Sequence, residues 1–346
     1  MRATVKDVAA RAGVSPKTVS NVINGVVFVR PETRARVEEA LAALDYVPNL
    51  AARGLRSGRY GLIALALPDL STAYSAEVAH HFVEEGHARG WGVQIEETAA
   101  EPARERELLS RARSRLVDGL VLNPVSLADS VLNDPGLATG TLPPTVLVGE
   151  VAQDRVDQVG VDSVRSARAM TEHLVSLGRR RIAAVGTPKS WETAAARQRT
   201  EGWRAVLVEA GLPATLEAPT DGWTAEAAAD AVDALLDRVA AAGGAAPDAF
   251  FCFTDTMALG VLHTLWRRGL RVPDDVAVAG FDDVAPGRYA VPSLTTISFD
   301  LRELATTTLD VLRDRIDNPT APPRRLLIPH RLVVRESTRH LERQAR

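Results

Sequence analysis

"TVKDVAARAGVSPKTVSNVING", residues 4–25, decides how the amino-terminal part of this 346-residue chain folds. Val5, Val8, Ala9 and Ala12 recur at i, i+3, i+4 and i+7, the spacing that lines one face of a helix with apolar side chains. Thr4 stands as N-cap and Gly13 as the stop. A second start follows at once. Ser15 is placed to cap, Pro16 takes the first helical position, where its missing N–H is no loss, and Asn24–Gly25 ends the segment. Only Gly13 and Val14 separate the first helix from the second cap, so the helices must cross steeply, as in a helix-turn-helix. On the second helix Val19, Val22 and Ile23 point one way and Lys17, Asn21 and Asn24 the other.

The next stretch, "PETRARVEEALAALDY" at 31–46, repeats the helical spacing with Val37, Ala40, Leu41 and Leu44. Three short helices, each with one apolar stripe, make a minimal core and leave the polar face of the second free to enter a major groove. There Lys17 can donate to guanine O6 or N7 and Asn21 can pair with a base edge. Ser15, Thr18, Ser20 and Asn24 suit phosphates, which position without specifying. Charge points the same way. Residues 1–60 carry ten Lys and Arg against five Asp and Glu, so a +5 module precedes 286 residues that sum to -8 within a net of -3. A solvated basic surface and a protein-binding module are the alternatives. The tight turn, the basic excess and the donor-rich helix together favour DNA.

"VPNLAARGLRSGR", 47–59, has helical composition but too few apolar positions to hold a helix. Asn49 can cap a helix to Leu55, shorter than the roughly 12 residues at which isolated helices become marginal, and Gly54 costs it about 1 kcal/mol against alanine. Such a segment orders only on binding. Ala51 and Ala52 are small enough for close approach in a minor groove, Leu55 is the candidate wedge between base steps, and Arg53 and Arg56 would sit near phosphates. A plain flexible linker is the alternative.

The run from Thr4 through "VRPETRARVEEALAALDYVPNLAARGLRSG" resembles the DNA-binding and hinge region of the LacI/GalR family of bacterial transcription regulators, over nearly 60 residues with turn, third helix, "YxPN" entry and "AxxLR" hinge in register. The resemblance implies a homodimer on a palindromic double-stranded operator, a hinge helix that inserts its leucine, and repression as the commoner mode. The DNA-facing set it implies is Thr4, Ser15, Pro16, Lys17, Thr18, Ser20, Asn21, Asn24, Arg30, Asn49, Ala52, Arg53, Leu55 and Arg56. The expected domains are a DNA-binding domain at 1–48, a hinge helix and linker at 49–59, and an effector-binding and dimerisation domain at 60–346. The last divides into one subdomain at about 60–161 and 293–325 and another at about 162–292 and 326–340.

From Tyr60 onward, short apolar runs alternate with helical stretches. "GLIALALP", "GVQIEE", "GLVLNP", "PTVLVGE", "RIAAVG", "AFFCFTD" and "VAVAGFDD" are expected as buried parallel strands. Helices such as "YSAEVAHHFVEEGHARG" and "TMALGVLHTLWRRG" lie between them. This is an α/β body of two doubly wound subdomains with a cleft at the carboxyl ends of the strands. The resemblance continues through "RxxGW", "TDxMALG", "LRVPDDVAVAGFDD" and "PSLTTI". It implies a periplasmic-binding-protein-like (type I) sensor crossed three times by the chain.

The expected ligand is polar. Arg199 offers five donors in a rigid fork and Asp282 accepts hydrogen bonds, a pair suited to adjacent hydroxyls. Trp223 aligns with the family's stacking aromatic, whose flat face fits the C–H side of a sugar ring. Ser71, Tyr74, Asn123, Trp191, Thr254 and Asp255 complete the candidate set with Phe299, although Asp255 could instead cap the helix that follows it and Asp283 reads as structural. Thr254 stands where many sugar-binding members carry asparagine, and Phe299 where several carry a polar residue. A sugar is the favoured effector, and a nucleobase-type ligand stays open.

The longest apolar run, Leu62–Leu67, is far short of the roughly 20 residues that span a bilayer, and the start has no signal-type segment. A cytoplasmic, nucleoid-associated protein without membrane contact is therefore expected. The single cysteine, Cys252, rules out an internal disulfide and a Cys-rich metal site. No GxxxxGK[ST], GxGxxG, HExxH or GxSxG occurs, so no catalytic residue, cofactor or metal is expected. His80 and His81 project to different faces of their helix, which argues against a metal pair. The rival classes are a cytoplasmic small-molecule carrier and an α/β enzyme such as a sugar kinase or dehydrogenase. The DNA reader opposes the first, and the missing catalytic constellation opposes the second.

Overall fold

The computed structural model describes residues 3–24, 27–46, 59–114, 117–125, 130, 132, 142–151, 153–189 and 193–339. The chain divides into two compact units, Met1–Gly61 and Leu62–Arg346.

The first unit contains α1 (Val5–Ala12), α2 (Pro16–Asn24) and α3 (Pro31–Ala43). Thr4 Oγ1 accepts from the Asp7 amide at 3.4 Å while the Asp7 carboxylate accepts from the Thr4 amide at 2.8 Å, a reciprocal cap that satisfies two otherwise orphaned donors. Gly13 ends α1 at φ 63°, where a residue with a Cβ would lose roughly 1–2 kcal/mol. Val8, Ala9, Ala12, Val19, Val22, Val37 and Ala40 form the buried core. Val14, Val29 and Tyr46, which carry no helical periodicity, close its edges. The hinge residues Asn49, Ala52, Arg53, Leu55 and Arg56 lie outside the described residues, as does Trp191.

The second unit begins with β1 (Leu62–Leu67), α4 (Ala73–Ala88), β2 (Gly92–Glu97), α5 (Pro102–Ser114), β3 (Gly119–Leu122), β4 (Thr145–Val148) and β5 (Asp157–Gly160). There follow α6 (Ser163–Ser176), β6 (Ile182–Pro188), α7 (Ala194–Glu209), β7 (Glu217–Thr220), α8 (Ala225–Ala241), β8 (Ala249–Cys252), α9 (Asp255–Arg267) and β9 (Ala277–Phe281). The chain closes with α10 (Ala285–Arg288), β10 (Thr295–Phe299), α11 (Leu301–Asp317), β11 (Arg325–Leu327) and β12 (His330–Val333).

Among the described residues the strands form two six-stranded sheets, ordered β11-β5-β4-β3-β1-β2 and β12-β10-β9-β8-β6-β7. Every pairing is parallel except the antiparallel β10–β12. Helices cover both faces, so β3, β4, β8 and β9 are buried along their whole length and tolerate continuous apolar sequence. "GVQIEE" departs from the expected buried strand. It is the outermost strand of the first sheet, and only part of it is covered. The chain passes between the sheets three times, after β5, after β10 and after β11. Those crossings set the two lobes side by side with the carboxyl ends of the central strands facing a shared cleft.

Candidate functional site

In the first unit α2 buries Val19 and Val22 and leaves Lys17 exposed, with Asn21, Thr18 and Ser20 half-buried. Ser15 Oγ accepts from the Thr18 amide at 3.2 Å and lies 2.9 Å from Thr18 Oγ1, so these two hydroxyls hold the start of the helix while remaining at the surface. Pro16 at the first position is exposed. Arg30, which precedes α3, is exposed and makes no side-chain cap. The Thr4 hydroxyl donates to Asp7 at 2.7 Å, a local role beside any contact with a phosphate. The side chain of Asn24 lies outside the described residues. The arrangement presents one cation and several hydroxyl and amide groups on one surface helix, anchored by an apolar face that small residues suffice to pack.

In the second unit Arg199 is the centre of the cleft. It sits on α7 because Thr193 caps that helix, the Thr193 hydroxyl accepting from the Ala196 amide at 2.9 Å. Its fork is already engaged. Nε donates to Ser163 Oγ at 3.4 Å, Nη1 donates to the Phe253 carbonyl, and Nη2 lies 3.3 Å from Glu150 Oε1. The guanidinium stacks 3.6 Å from the centre of the Phe281 ring and lies 5.3 Å from that of Trp223. Glu150 follows β4 of the first sheet, so this pair joins the two lobes across the cleft. Ser163 Oγ and the Gln198 side chain brace Glu150 from the other lobe, at 3.0 and 2.8 Å.

Asp282 follows β9 at φ 112°, and Asp283 follows it at φ 56°, two non-glycine residues in the left-handed half of backbone space at a strand end. Only 6% of Asp282 is exposed, and among the described residues nothing donates a hydrogen bond to its carboxylate. Burial pushes its pKa well up, the Arg199 charge pulls it down, and the carboxylates of Asp255, Glu150 and Glu77 raise it further. Tyr74 is packed edge-on to Phe299 at 6.3 Å, and Phe299 in turn lies 6.1 Å from Phe281. Burial raises the Tyr74 phenol, with the Asp282 and Glu150 charges adding to it. Arg199, Trp223, Tyr74, Asp282 and Phe299 are therefore brought together. Asn123 follows β3 and packs against Gly149, next to Glu150. Ser71 instead donates to Asp69 at 2.7 Å in an exposed loop.

The profile described as bacterial regulatory proteins, lacI family, matches residues 4–49, and that of a periplasmic binding protein-like domain matches residues 171–338. The regulator CelR of Thermobifida fusca is 33% identical over 97% of this chain and 98% of its own. The chain belongs to the LacI family of bacterial regulatory proteins. Among solved structures, the lac repressor dimer bound to operator and the anti-inducer ONPF superposes with a TM-score of 0.84 at 28% identity, over 98% of this chain and all of the other. A CelR–cellobiose complex gives 0.69 at 30% identity, over 97% of this chain and all of the other. As a LacI-family protein the chain is a transcriptional regulator with DNA-binding and effector-binding parts, and its relatives are regulators rather than enzymes. No helix among the described residues is long and apolar enough to cross a membrane.

Within this LacI-family body two expected ligand contacts are used by the protein itself. Thr254, not Asp255, caps α9, its Oγ1 accepting from the Met257 amide at 3.1 Å. Asp255 is fully buried and accepts from Thr296 Oγ1 at 2.6 Å and from the Val284 amide at 2.9 Å, which ties α9 to β10 and to the turn after Asp282. Burial lifts its pKa to about 7 against those bonds. A Cβ on Gly280 would run into that carboxylate, so the backbone of β9 can pass there only as glycine. Asp283 is structural as expected, held by Arg335 at 2.6 Å and Arg288 at 3.3 Å. Glu150, Ser163 and Phe281 were not singled out in the sequence. Glu150 and Phe281 each stand at or just past a strand end, the one local signal that marks them.

Proposed function

We propose that the chain is a repressor that binds a palindromic operator as a homodimer in the cytoplasm, and that a sugar in the Arg199 cleft controls it. The observation that carries this reading is the pairing of Glu150 in one lobe with Arg199 in the other, beside an Asp282 carboxylate to which nothing among the described residues donates a hydrogen bond. A hydroxyl-bearing ligand gives Asp282 its missing donors and takes the remaining N–H groups of Arg199, with Trp223 against its apolar face. Its binding then favours one relative setting of the lobes. The CelR–cellobiose complex supports a sugar as the ligand class. The segment 49–59, too short to hold a helix alone, is the element that responds, ordering on DNA when two copies are brought to the right spacing.

The test is a gel shift on DNA upstream of the chain's own gene, with and without a panel of mono- and disaccharides, paired with isothermal titration of the same panel. A sugar that both binds and changes operator affinity is the expected result. Tight sugar binding with operator affinity unchanged removes the coupling, and no retarded band on any upstream fragment removes the repressor.

A further inference from the structure

One side chain of the first lobe holds the turn that carries Glu150. Gln158, the second residue of β5, is 1% exposed, and its Nε2 donates to the Gly149 carbonyl at 2.7 Å and to the Val151 carbonyl at 2.8 Å. Glu150 lies between those two carbonyls in the chain, so a single amide nitrogen fixes the backbone on both sides of it. Only the NH2 end of the amide can face two carbonyls, which settles its orientation. The other end, Oε1, is buried and meets no donor among the described residues.

The strand under the turn is itself anchored. The Gln158 backbone N–H donates to the Arg324 carbonyl at 2.8 Å, and Arg315 and Arg324 hold the neighbouring Asp157. The Gly149 amide donates to the Val159 carbonyl at 3.1 Å, and a Cβ on Gly160 would come within 2.5 Å of the Gly149 carbonyl oxygen, so bare backbone lets the turn sit against the end of β5. A buried amide oxygen without a donor is costly, and an apolar side chain of the same length would avoid that cost at a position needed only to fill the core. What such a side chain cannot supply is the pair of N–H donors. They set the 149–151 turn, and the side chain on that turn is the one that reaches Arg199. Placement matters there because the reach is long. Glu150 Oε1 lies 3.0 Å from Ser163 Oγ and 3.3 Å from Arg199 Nη2, at the far end of hydrogen-bond range, so a small rotation of the turn loses both.

We propose that Gln158 is a positioning residue for the contact between the lobes: it holds the 149–151 turn so that Glu150 reaches Arg199 and Ser163 across the cleft, and through Glu150 it sets how firmly the lobes are joined. This rests on the reading of the Glu150–Arg199 pair as the joint on which the effector acts. The hydrogen bonds of Gln158 among the described residues all lie within the first lobe, so its influence on Arg199 passes through Glu150.

The test is fluorine NMR of the full chain carrying fluorotryptophan, with the Trp223 resonance identified by its loss in Trp223→Phe. Arg199 lies 5.3 Å from the centre of that ring, in the lobe opposite Gln158, so the resonance reports on the pair from the far side of the cleft. Glu150→Ala is expected to move it. Gln158→Met should move it in the same direction, and Gln158→Met added to Glu150→Ala should move it no further. In melting curves the cost of Gln158→Met should fall to about half or less once Glu150 is already alanine, because residues that act as a unit are not additive. Gln158→Asn, one methylene too short to serve both carbonyls, makes the same comparison should Gln158→Met fail to fold. A resonance that Glu150→Ala moves and Gln158→Met does not, or one that Gln158→Met moves further in the Glu150→Ala background, overturns the role of Gln158 and leaves the Glu150–Arg199 joint standing. A resonance unmoved by Glu150→Ala overturns both. None of these outcomes touches operator binding, which stands or falls on the gel shift.

Discussion

Glu150 Oε1, at the end of β4 in one lobe, lies 3.3 Å from Nη2 of Arg199 on α7 in the other. The arginine is 5% exposed and the glutamate 17%, so the pair is largely removed from water. Removing one partner of such a pair strands the other charge, at roughly 3–5 kcal/mol. Glu150→Ala is therefore expected to lower the melting temperature clearly, whereas Glu150→Gln, which can still accept from Ser163 and Arg199, should lower it less. Thermal unfolding followed by circular dichroism separates the two. Equal melting temperatures for both variants and wild type would show that the pair carries no stability.

Lys17 is exposed on a helix whose opposite face is the core of its unit. If its ammonium reads a base, Lys17→Ala weakens binding by about 1–3 kcal/mol at one position of each half-site and leaves the others alone. Gel shifts against a set of single-base operator variants give the pattern. Uniform weakening across the set would reassign Lys17 to a phosphate.

Glu85 on α4 accepts from Arg89 at 2.6 Å and from Arg302 of α11 at 2.8 Å. Those two bonds hold its pKa down at about 2. A carboxyl that titrates near 4.3 in the unfolded chain and near 2 in the folded one stabilises the fold above the first value, and that stability is lost as the pH falls toward the second. Wild type should thus lose more melting temperature between pH 5 and pH 2.5 than Glu85→Gln, in which the group no longer titrates. Parallel pH profiles for the two proteins would remove Glu85 from the acid response.

How much of this was legible in the sequence depends on whether the deciding contact is local. Thr4, Gly13, Ser15 and Pro16 act within four residues of themselves, and the helices they bound are where the spacing placed them. The apolar strands were legible for the same reason, since burial on both faces needs nothing but continuous hydrophobic sequence. β5 was not. Its residues, Asp157–Gly160, are all buried, yet Asp157 and Gln158 offer no apolar run to mark a strand, and their burial depends on Arg315 and Arg324, more than 150 positions away, which close on the Asp157 carboxylate at 2.8 and 3.5 Å. The cleft divides in the same way. Arg199 and Asp282 stood out by type and context, while Glu150 became visible only when the fold brought it against Arg199. Asp255 stood as a ligand candidate with a helix cap as the alternative, and in the fold its carboxylate is a buried acceptor for Thr296 and Val284.

Asp282 offers the sharpest separation of ligand response from DNA binding, because its conformation and its charge can be changed one at a time. Its φ of 112° lies where side chains are disfavoured and glycine is not, so Asp282→Gly should relieve local strain while removing the carboxylate. Asp282→Asn keeps the shape but replaces one acceptor oxygen with a donor and removes the charge that burial already opposes. Both substitutions should abolish the effect of the sugar on operator affinity and leave binding in its absence unchanged. Asp282→Gly should also melt no lower than wild type, since the relieved strain, of order 1–3 kcal/mol, is set against no lost hydrogen bond. A gel shift with and without effector, together with a melting curve, decides the matter. If Asp282→Gly unfolds early, the carboxylate holds the turn itself, and the effector's contact must be sought at Arg199 and Trp223 alone.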